Sequence, residues 1–299
     1  MKFLLLLASA AALPHTPLGL DIYMPVPESN PLTAAKIELG RQLFFDKRLS
    51  RDGTLACAGC HDPGRAFSDG RTVARGVGGA EGVRNSPALI NRGYGQAFFW
   101  DGRAESLELQ AIEPILNPKE LALTKDELEQ RTHLRADEVA AALASYVRTL
   151  RSGDSPYDRF TMGQATALNA TEKAGLDLFR GKGHCVNCHA GPNFSDEQFH
   201  NTGVSWVGVR FTDDGRFAVS GKEEDRGAFK TPTLREVART GPYMHDGSLA
   251  TLEQVVDFYS EGGRGNPHLD AEIRPRRFNP EEKLALVAFL RSLSGTITK

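Results

Sequence analysis

Two stretches of the chain repeat apolar residues at helical spacing. In "RADEVAAALASYVRTL", residues 135 to 150, Val139, Leu143, Tyr146, Val147 and Leu150 recur at i, i+4, i+7, i+8 and i+11, one face of an amphipathic helix. In "NPEEKLALVAFLRSLS", residues 279 to 294, Asn279 reads as an N-cap, Pro280 as the first helical residue and Glu282 as the partner three residues on. Leu286, Phe289, Leu290 and Leu293 form its buried stripe. No stretch alternates as a large sheet would, so the pattern predicts a mainly α fold with long loops, held by bound groups or ions. Polar and turn-forming residues in "RSGDSPYDRFTMGQAT", residues 151 to 166, interrupt the two patterns and mark a join.

Each half carries the same short motif. Residues 57 to 61 read "CAGCH" and 185 to 189 read "CVNCH", and these hold all four cysteines of the chain. A Cys-x-x-Cys-His run lets two sulfurs bond to the two vinyl groups of one haem while the adjacent imidazole reaches the iron. The spacing predicts two covalent c-type haems, on Cys57, Cys60 and His61, and on Cys185, Cys188 and His189. A single zinc would not require a histidine after both pairs, and a thioredoxin-like redox pair would explain only one of them. The flanks repeat too: Gly40-Arg41-Gln42-Leu43-Phe44 aligns with Gly175-Leu176-Asp177-Leu178-Phe179, as an internal duplication would leave. A helix before each haem run and one after it, crossing over a porphyrin edge, is the cytochrome c arrangement. The expected organisation is a leader over residues 1–20, an N-terminal cytochrome c-like domain over 21–152 and a C-terminal one over 153–299.

The opening "MKFLLLLASAAALP" has a positive residue, a short apolar run and small residues offering an Ala-x-Ala site at Ala8 to Ala10 or Ala10 to Ala12. This reads as a cleaved secretory leader and predicts an exported, periplasmic protein with no membrane span after cleavage. Export fits the cysteines, because c-type haem is attached on the oxidising side of the membrane. A formal net charge of −2 over 299 residues argues for neither nucleic acid nor an acidic membrane surface.

From about residue 21 onward the chain resembles bacterial diheme cytochrome c peroxidases and their relative, the methylamine-utilisation enzyme that oxidises residues of a protein partner. The resemblance rests on "LFFDKRLSRDGTLACAGCHDP", "EGVRNSPALIN", "FFWDGRAESLELQAIEPILNPKEL", "CVNCHAGPNFSD", "FKTPTLREVARTGPYMHDGS" and "LEQVVDFY". It implies a peroxidatic N-terminal haem, an electron-transfer C-terminal haem and Trp100 as the bridge between them. Trp206 lies outside any such motif. Glu120 is implied as the acid–base group that moves a proton between the peroxide oxygens, with Gln110 positioning the pocket. Glu113 is its local rival. A calcium ion is implied at the Asn85 side chain and the Thr240 and Pro242 carbonyls. Tyr243 and His245 are expected near the second haem without a ligand role.

Two positions depart from the commonest peroxidases and agree with the methylamine-utilisation enzyme. Val77 stands where many peroxidases carry a histidine that caps the resting peroxidatic iron, and valine cannot bind iron. Tyr259 stands at the sixth-ligand position of the second haem, where the peroxidases have methionine. A phenolate ligand would favour oxidised iron and lower the potential, although a tyrosine there could instead pack in the core with its hydroxyl on a propionate.

The expected activity is reduction of hydrogen peroxide to water with electrons from a small cytochrome c or copper protein. Peroxide-dependent oxidation of a protein substrate is the second reading. A plain diheme electron carrier is the third, and it has no use for Glu120 or Gln110.

Overall fold

The computed structural model describes residues 15–298, so the run of the expected leader over residues 1–14, with its Ala-x-Ala sites, lies outside the described residues. Among the described residues six helices have nine residues or more: α1 (Ala34–Phe44), α2 (Leu107–Leu116), α3 (Ala136–Val147), α4 (Ala170–Arg180), α5 (Leu252–Ser260) and α6 (Pro280–Arg291). The described strands form only two-stranded antiparallel pairs, β1 (Arg151–Gly153) with β6 (Thr296–Thr298), β2 (Phe199–His200) with β5 (Phe229–Lys230), and β3 (Trp206–Val207) with β4 (Arg210–Phe211). The protein is mainly helical with long loops, as the apolar periodicity predicts.

The caps read from sequence are formed. Asn279 Oδ1 accepts from Glu282 N at 2.8 Å while Glu282 Oε2 accepts from Asn279 N at 2.8 Å, and Pro280 opens α6. Asn169 and Glu172 form the same reciprocal pair at the start of α4. Each satisfies backbone donors that have no partner within the helix.

Two glycines set the helix crossings. α1 crosses α3 at Gly40, where an added Cβ would collide with the Ala142 carbonyl and lie 2.9 Å from Tyr146 Cβ. α4 crosses α6 at Gly175, where it would collide with the Ala285 carbonyl and lie 2.7 Å from Phe289 Cβ. In both halves the partner helix offers a backbone carbonyl and, four residues on, an aromatic ring. The repeated Gly-x-x-Leu-Phe is therefore a packing device: the glycine lets the backbones touch, and Phe44 and Phe179 enter the cores behind it.

Those cores are separate clusters. One joins Leu43, Phe44, Val139, Leu143, Tyr146, Val147 and Leu150, and the other joins Leu176, Phe179, Leu286, Phe289, Leu290 and Leu293. Burying each such side chain contributes about 1.5–3 kcal/mol.

The stretch at 151–166 is more than the polar interruption that its composition suggests. β1 is buried along its length and pairs with β6, with Arg151 opposite Thr298. Ser152 exchanges two hydrogen bonds with the Asn91 side chain, at 2.9 and 3.1 Å, and donates its hydroxyl to Glu236. Arg235 and Asp158, each 1% exposed, form an ion pair, and Arg235 also donates to the Gly19 and Pro192 carbonyls. Residues 17–19, expected within the leader range, thus pack against this junction, where Asp154 N donates to Leu18 O at 2.8 Å. Composition alone reads such residues as solvated; here the polar groups are buried because they satisfy one another.

Gly175→Ala is expected to destabilise the protein by about 1–3 kcal/mol through overpacking at the crossing. Thermal unfolding of the haem-loaded variant checks this, with Gly191→Ala, whose added Cβ has nothing within 4 Å, as the comparison for a left-handed glycine (φ 69°) without a packed neighbour.

Candidate active site

Both Cys-x-x-Cys-His runs are single turns whose first residue holds the histidine. His61 N donates to Cys57 O and His189 N donates to Cys185 O, each at 2.9 Å. Each ring is then fixed by a carbonyl a few residues on. His61 Nδ1 lies 3.1 Å from Phe67 O, and His189 Nδ1 lies 2.9 Å from Phe194 O. A carbonyl only accepts, so each Nδ1 carries the proton and each Nε2 keeps its lone pair for a metal. Burial lowers the proton affinity of both rings below the ordinary histidine value, which keeps them neutral.

The acceptor residues are held in an uncommon conformation. Phe67 has φ 60° and Phe194 has φ 51°, left-handed values that are rare for a bulky side chain. Both rings are buried in their cores, which offsets a backbone cost of about 1–2 kcal/mol. The sequence carried a trace of this, since a phenylalanine follows the first histidine by six residues and the second by five.

A continuous cavity of about 710 Å³ is lined by both motifs, by Cys57 and Cys60 of the first and by Cys185 and Cys188 of the second. Its walls are mostly apolar. The four sulfurs do not gather: among the described residues the one group of three metal-binding side chains is Cys188, Asp196 and His200, which contradicts a zinc site built from all four cysteines. In that group His200 is already held by two carboxylates, Asp270 at 2.6 Å and Asp196 at 2.9 Å. Two sulfurs and one imidazole with a free Nε2, facing a largely apolar cavity at each motif, fit a covalent haem at each.

The other expected site residues meet at the same cavity. Trp100, Gln110 and Glu120 line it, as do Tyr259, Asn85, Thr240 and Pro242. Trp100 is fixed by ring and by main chain: its Nε1 donates to Asn85 O at 2.9 Å, and its backbone carbonyl accepts from Lys230 N at 2.8 Å. Trp206 instead packs edge-on against Phe211. Tyr243 and His245 also line the cavity, with the Tyr243 hydroxyl donating to Val237 O and the His245 ring stacked on Phe229.

Burial separates the two glutamates. Glu120 lines the cavity and burial raises its proton affinity above the ordinary carboxylate value, opposed by the Asn117 amide 2.8 Å from Oε1 and by the Arg103 charge. Glu113 is absent from the lining, and its side chain is 42% exposed and paired with Arg103 at 3.0 Å. Arg103, stacked on Phe99 at 3.5 Å, is a residue the sequence did not single out. Val77 does not line the cavity; its N–H donates to Glu120 O at 2.9 Å, and neighbouring Gly76 lets the two backbones touch. The Tyr259 hydroxyl has no hydrogen-bond partner among the described residues, whereas burial pushes the phenol's proton affinity upward.

Asn85 Nδ2 donates to Arg71 O at 2.7 Å, which turns Oδ1 away as a spare acceptor. The Thr240 and Pro242 carbonyls likewise accept no hydrogen bond among the described residues. Each is an oxygen donor of the kind that hard cations such as calcium take.

The sequence model described as di-haem cytochrome c peroxidase matches residues 34–135. The methylamine utilization protein MauG of Methylorubrum extorquens is 42% identical, over 91% of this chain and 82% of its own length. The chain belongs to the di-haem cytochrome c peroxidase family. The cytochrome c551 peroxidase of Nitrosomonas europaea is 36% identical, over 91% of this chain and 83% of its own. Among solved structures, a MauG-like protein associated with microbial copper homeostasis superimposes with a TM-score of 0.86 at 34% identity, covering 92% of this chain and 95% of that one. The diheme peroxidase BthA of Burkholderia thailandensis shares the fold, with a TM-score of 0.71 at 23% identity, over 89% of this chain and 87% of its own. Membership of this family implies two haems, in agreement with the paired motifs.

Glu120→Gln is expected to slow the reaction with hydrogen peroxide by about 10²-fold or more, while Glu113→Gln leaves it near the parent rate. Stopped-flow haem absorbance after mixing with peroxide separates the two. The proton-accepting form of Glu120 exists above its raised pKa, so the rate should fall on the acid side at a pH above the ordinary glutamate value of 4.5. Asn117→Ala removes a bond that favours the carboxylate and should move that acid limb to still higher pH.

Proposed function

We propose that the protein is an exported, periplasmic enzyme that reduces hydrogen peroxide to two waters, taking two protons and two electrons, the electrons coming from a small cytochrome c or copper protein. Two cytochrome c-like domains, over residues 21–152 and 153–299, would each hold one haem. The observation that carries the reading is Glu120: a half-buried carboxyl group of raised proton affinity, on the cavity that His61 also lines.

His61 and His189 would hold the two irons, and Cys57, Cys60, Cys185 and Cys188 the porphyrins. The haems, when bound, supply the electrons and the Lewis acid that break the O–O bond. Glu120 accepts a proton from one peroxide oxygen and returns it to the other, so that water is the leaving group. The Gln110 amide, which makes no side-chain hydrogen bond among the described residues, orients the peroxide beside it. Trp100, held by its indole N–H and by its main chain, would be the route for electrons between the two halves. Asn85, Thr240 and Pro242 would bind calcium, and because Asn85 also holds the Trp100 indole, the ion would stiffen that route. No described helix is long and apolar enough to cross a membrane.

A second reading is peroxide-dependent oxidation of a protein partner, as in the methylamine-utilisation enzyme. Tyr259 favours it, because a phenol on the cavity without a hydrogen-bond partner among the described residues suits an iron ligand that lowers the potential. A simple electron carrier has no use for Glu120 in its buried setting.

Steady-state peroxide consumption with reduced cytochrome c, with and without prior reduction of the enzyme, tests the first reading. Rapid turnover is the expected outcome; negligible turnover with every donor tried, alongside oxidation of a protein partner, supports the second. Tyr259→Met should raise the potential of the C-terminal haem and increase peroxidase turnover. Unchanged optical and electron paramagnetic resonance spectra in that variant would remove Tyr259 from the iron.

A further inference from the structure

Lys230 is a buried cation that none of the roles above employs. It is 7% exposed and stands on β5, opposite Phe199 of β2. Its main-chain N–H is the group that holds the Trp100 carbonyl, while the residue lines the same cavity as Cys188 and His189. An ammonium has three donors. One reaches the Thr231 carbonyl at 3.1 Å. The nearest carboxylate oxygen, Glu197 Oε1, is 3.7 Å away, beyond hydrogen-bond reach, and already accepts from Arg92 Nη1 at 2.7 Å. Within hydrogen-bond distance the ammonium thus has one acceptor, and its ion pair with Glu197, at 3.7 Å, is shared with Arg92, so a buried charge of this kind gains from a further anion. Burial, with the nearby Arg92 charge, draws the proton affinity of the lysine down to about 7, against the pull of Glu197 and Asp196.

The neighbours identify which haem is concerned. Asp196 N donates to Cys188 O at 2.8 Å, and Thr231 N donates to Gln198 O at 2.9 Å, so Lys230 is tied to the loop that follows the second Cys-x-x-Cys-His run. A haem brings two carboxylates into an otherwise apolar cavity, and each needs a donor that stays charged there. We infer that Lys230 Nζ binds a propionate carboxylate of the C-terminal haem, and that the same residue, through its main chain, fixes Trp100 relative to that haem. This rests on the two-haem reading. Lys230 is then a positioning residue of the electron route: its charge raises the potential of the C-terminal haem while its backbone sets the distance to the indole.

The test uses the haem-loaded enzyme, with haem content measured by mass. Lys230→Met should keep both haems, shift the midpoint potential of the C-terminal haem downward and move its propionate bending band in the resonance Raman spectrum, leaving the N-terminal haem as in the parent. Lys230→Arg should restore both properties. Potentials and propionate bands unchanged in Lys230→Met, or changes confined to the N-terminal haem, would overturn the assignment. In the parent protein the propionate band of the C-terminal haem should also shift in deuterium oxide; a band that stays in place overturns the assignment even if the methionine variant does not fold. Fewer than two haems in the parent would instead sink the two-haem reading, and this one with it.

Discussion

In each half of the chain one hydrogen bond governs the rest: histidine Nδ1 to the carbonyl of a buried phenylalanine. It fixes the tautomer, so Nε2 faces the cavity as a lone pair, and it fixes the plane of the ring. For the carbonyl to turn back onto the ring, Phe67 and Phe194 must adopt positive φ. That strain persists because the phenylalanine side chains are locked in the two cores behind them. Those cores exist in turn because Gly40 and Gly175 let two helices cross at backbone contact.

Between the halves, Ser152, Ser155 and Asp158 are polar, buried and hydrogen-bonded. Arg235 satisfies Asp158 and the Gly19 and Pro192 carbonyls, and it also lies over the Phe194 ring at 5.3 Å. A fully buried arginine of this kind joins the N-terminal strap, the segment between the halves and the loop that orients His189. Breaking such a pair typically costs about 3–5 kcal/mol, which makes the junction a rigid mount and not a hinge. Trp100 is also held twice, its indole by the Asn85 carbonyl and its main chain by Lys230 N.

Glu113 and Glu120 show how environment separates identical side chains. Both belong to one motif, seven residues apart. Glu113 is open to solvent and neutralised by Arg103, a pairing that water screens. Glu120 is turned onto the cavity by the tight turn after α2, where desolvation favours its neutral form and the Asn117 amide partly opposes that. Arg103 acts on both: it pairs with the first and its field reaches the second. The difference in proton affinity is thus produced by placement.

Local spacing was enough to reveal the paired haem motifs and the helix frame. Cys-x-x-Cys-His needs only neighbouring residues to define a haem attachment, and the stripe of Val139, Leu143, Tyr146 and Val147, like that of Leu286, Phe289 and Leu290, needs only a period of 3.6. The capping pair of Asn279 and Glu282 was equally local. Whatever depends on distant residues was settled by folding. The run at 151–166 reads as a polar join, yet Ser152 and Asp158 in its first half are buried because Asn91, Arg235 and Glu236, far along the chain, supply their partners, while residues 161–166 stay exposed. Lys230 and Arg103 read as ordinary surface cations, and only folding places them on the cavity. Nor could spacing distinguish Glu120 from Glu113 without the family motif, because a carboxyl group's proton affinity is set by solvent and neighbouring charge, which are properties of the folded site and not of the chain.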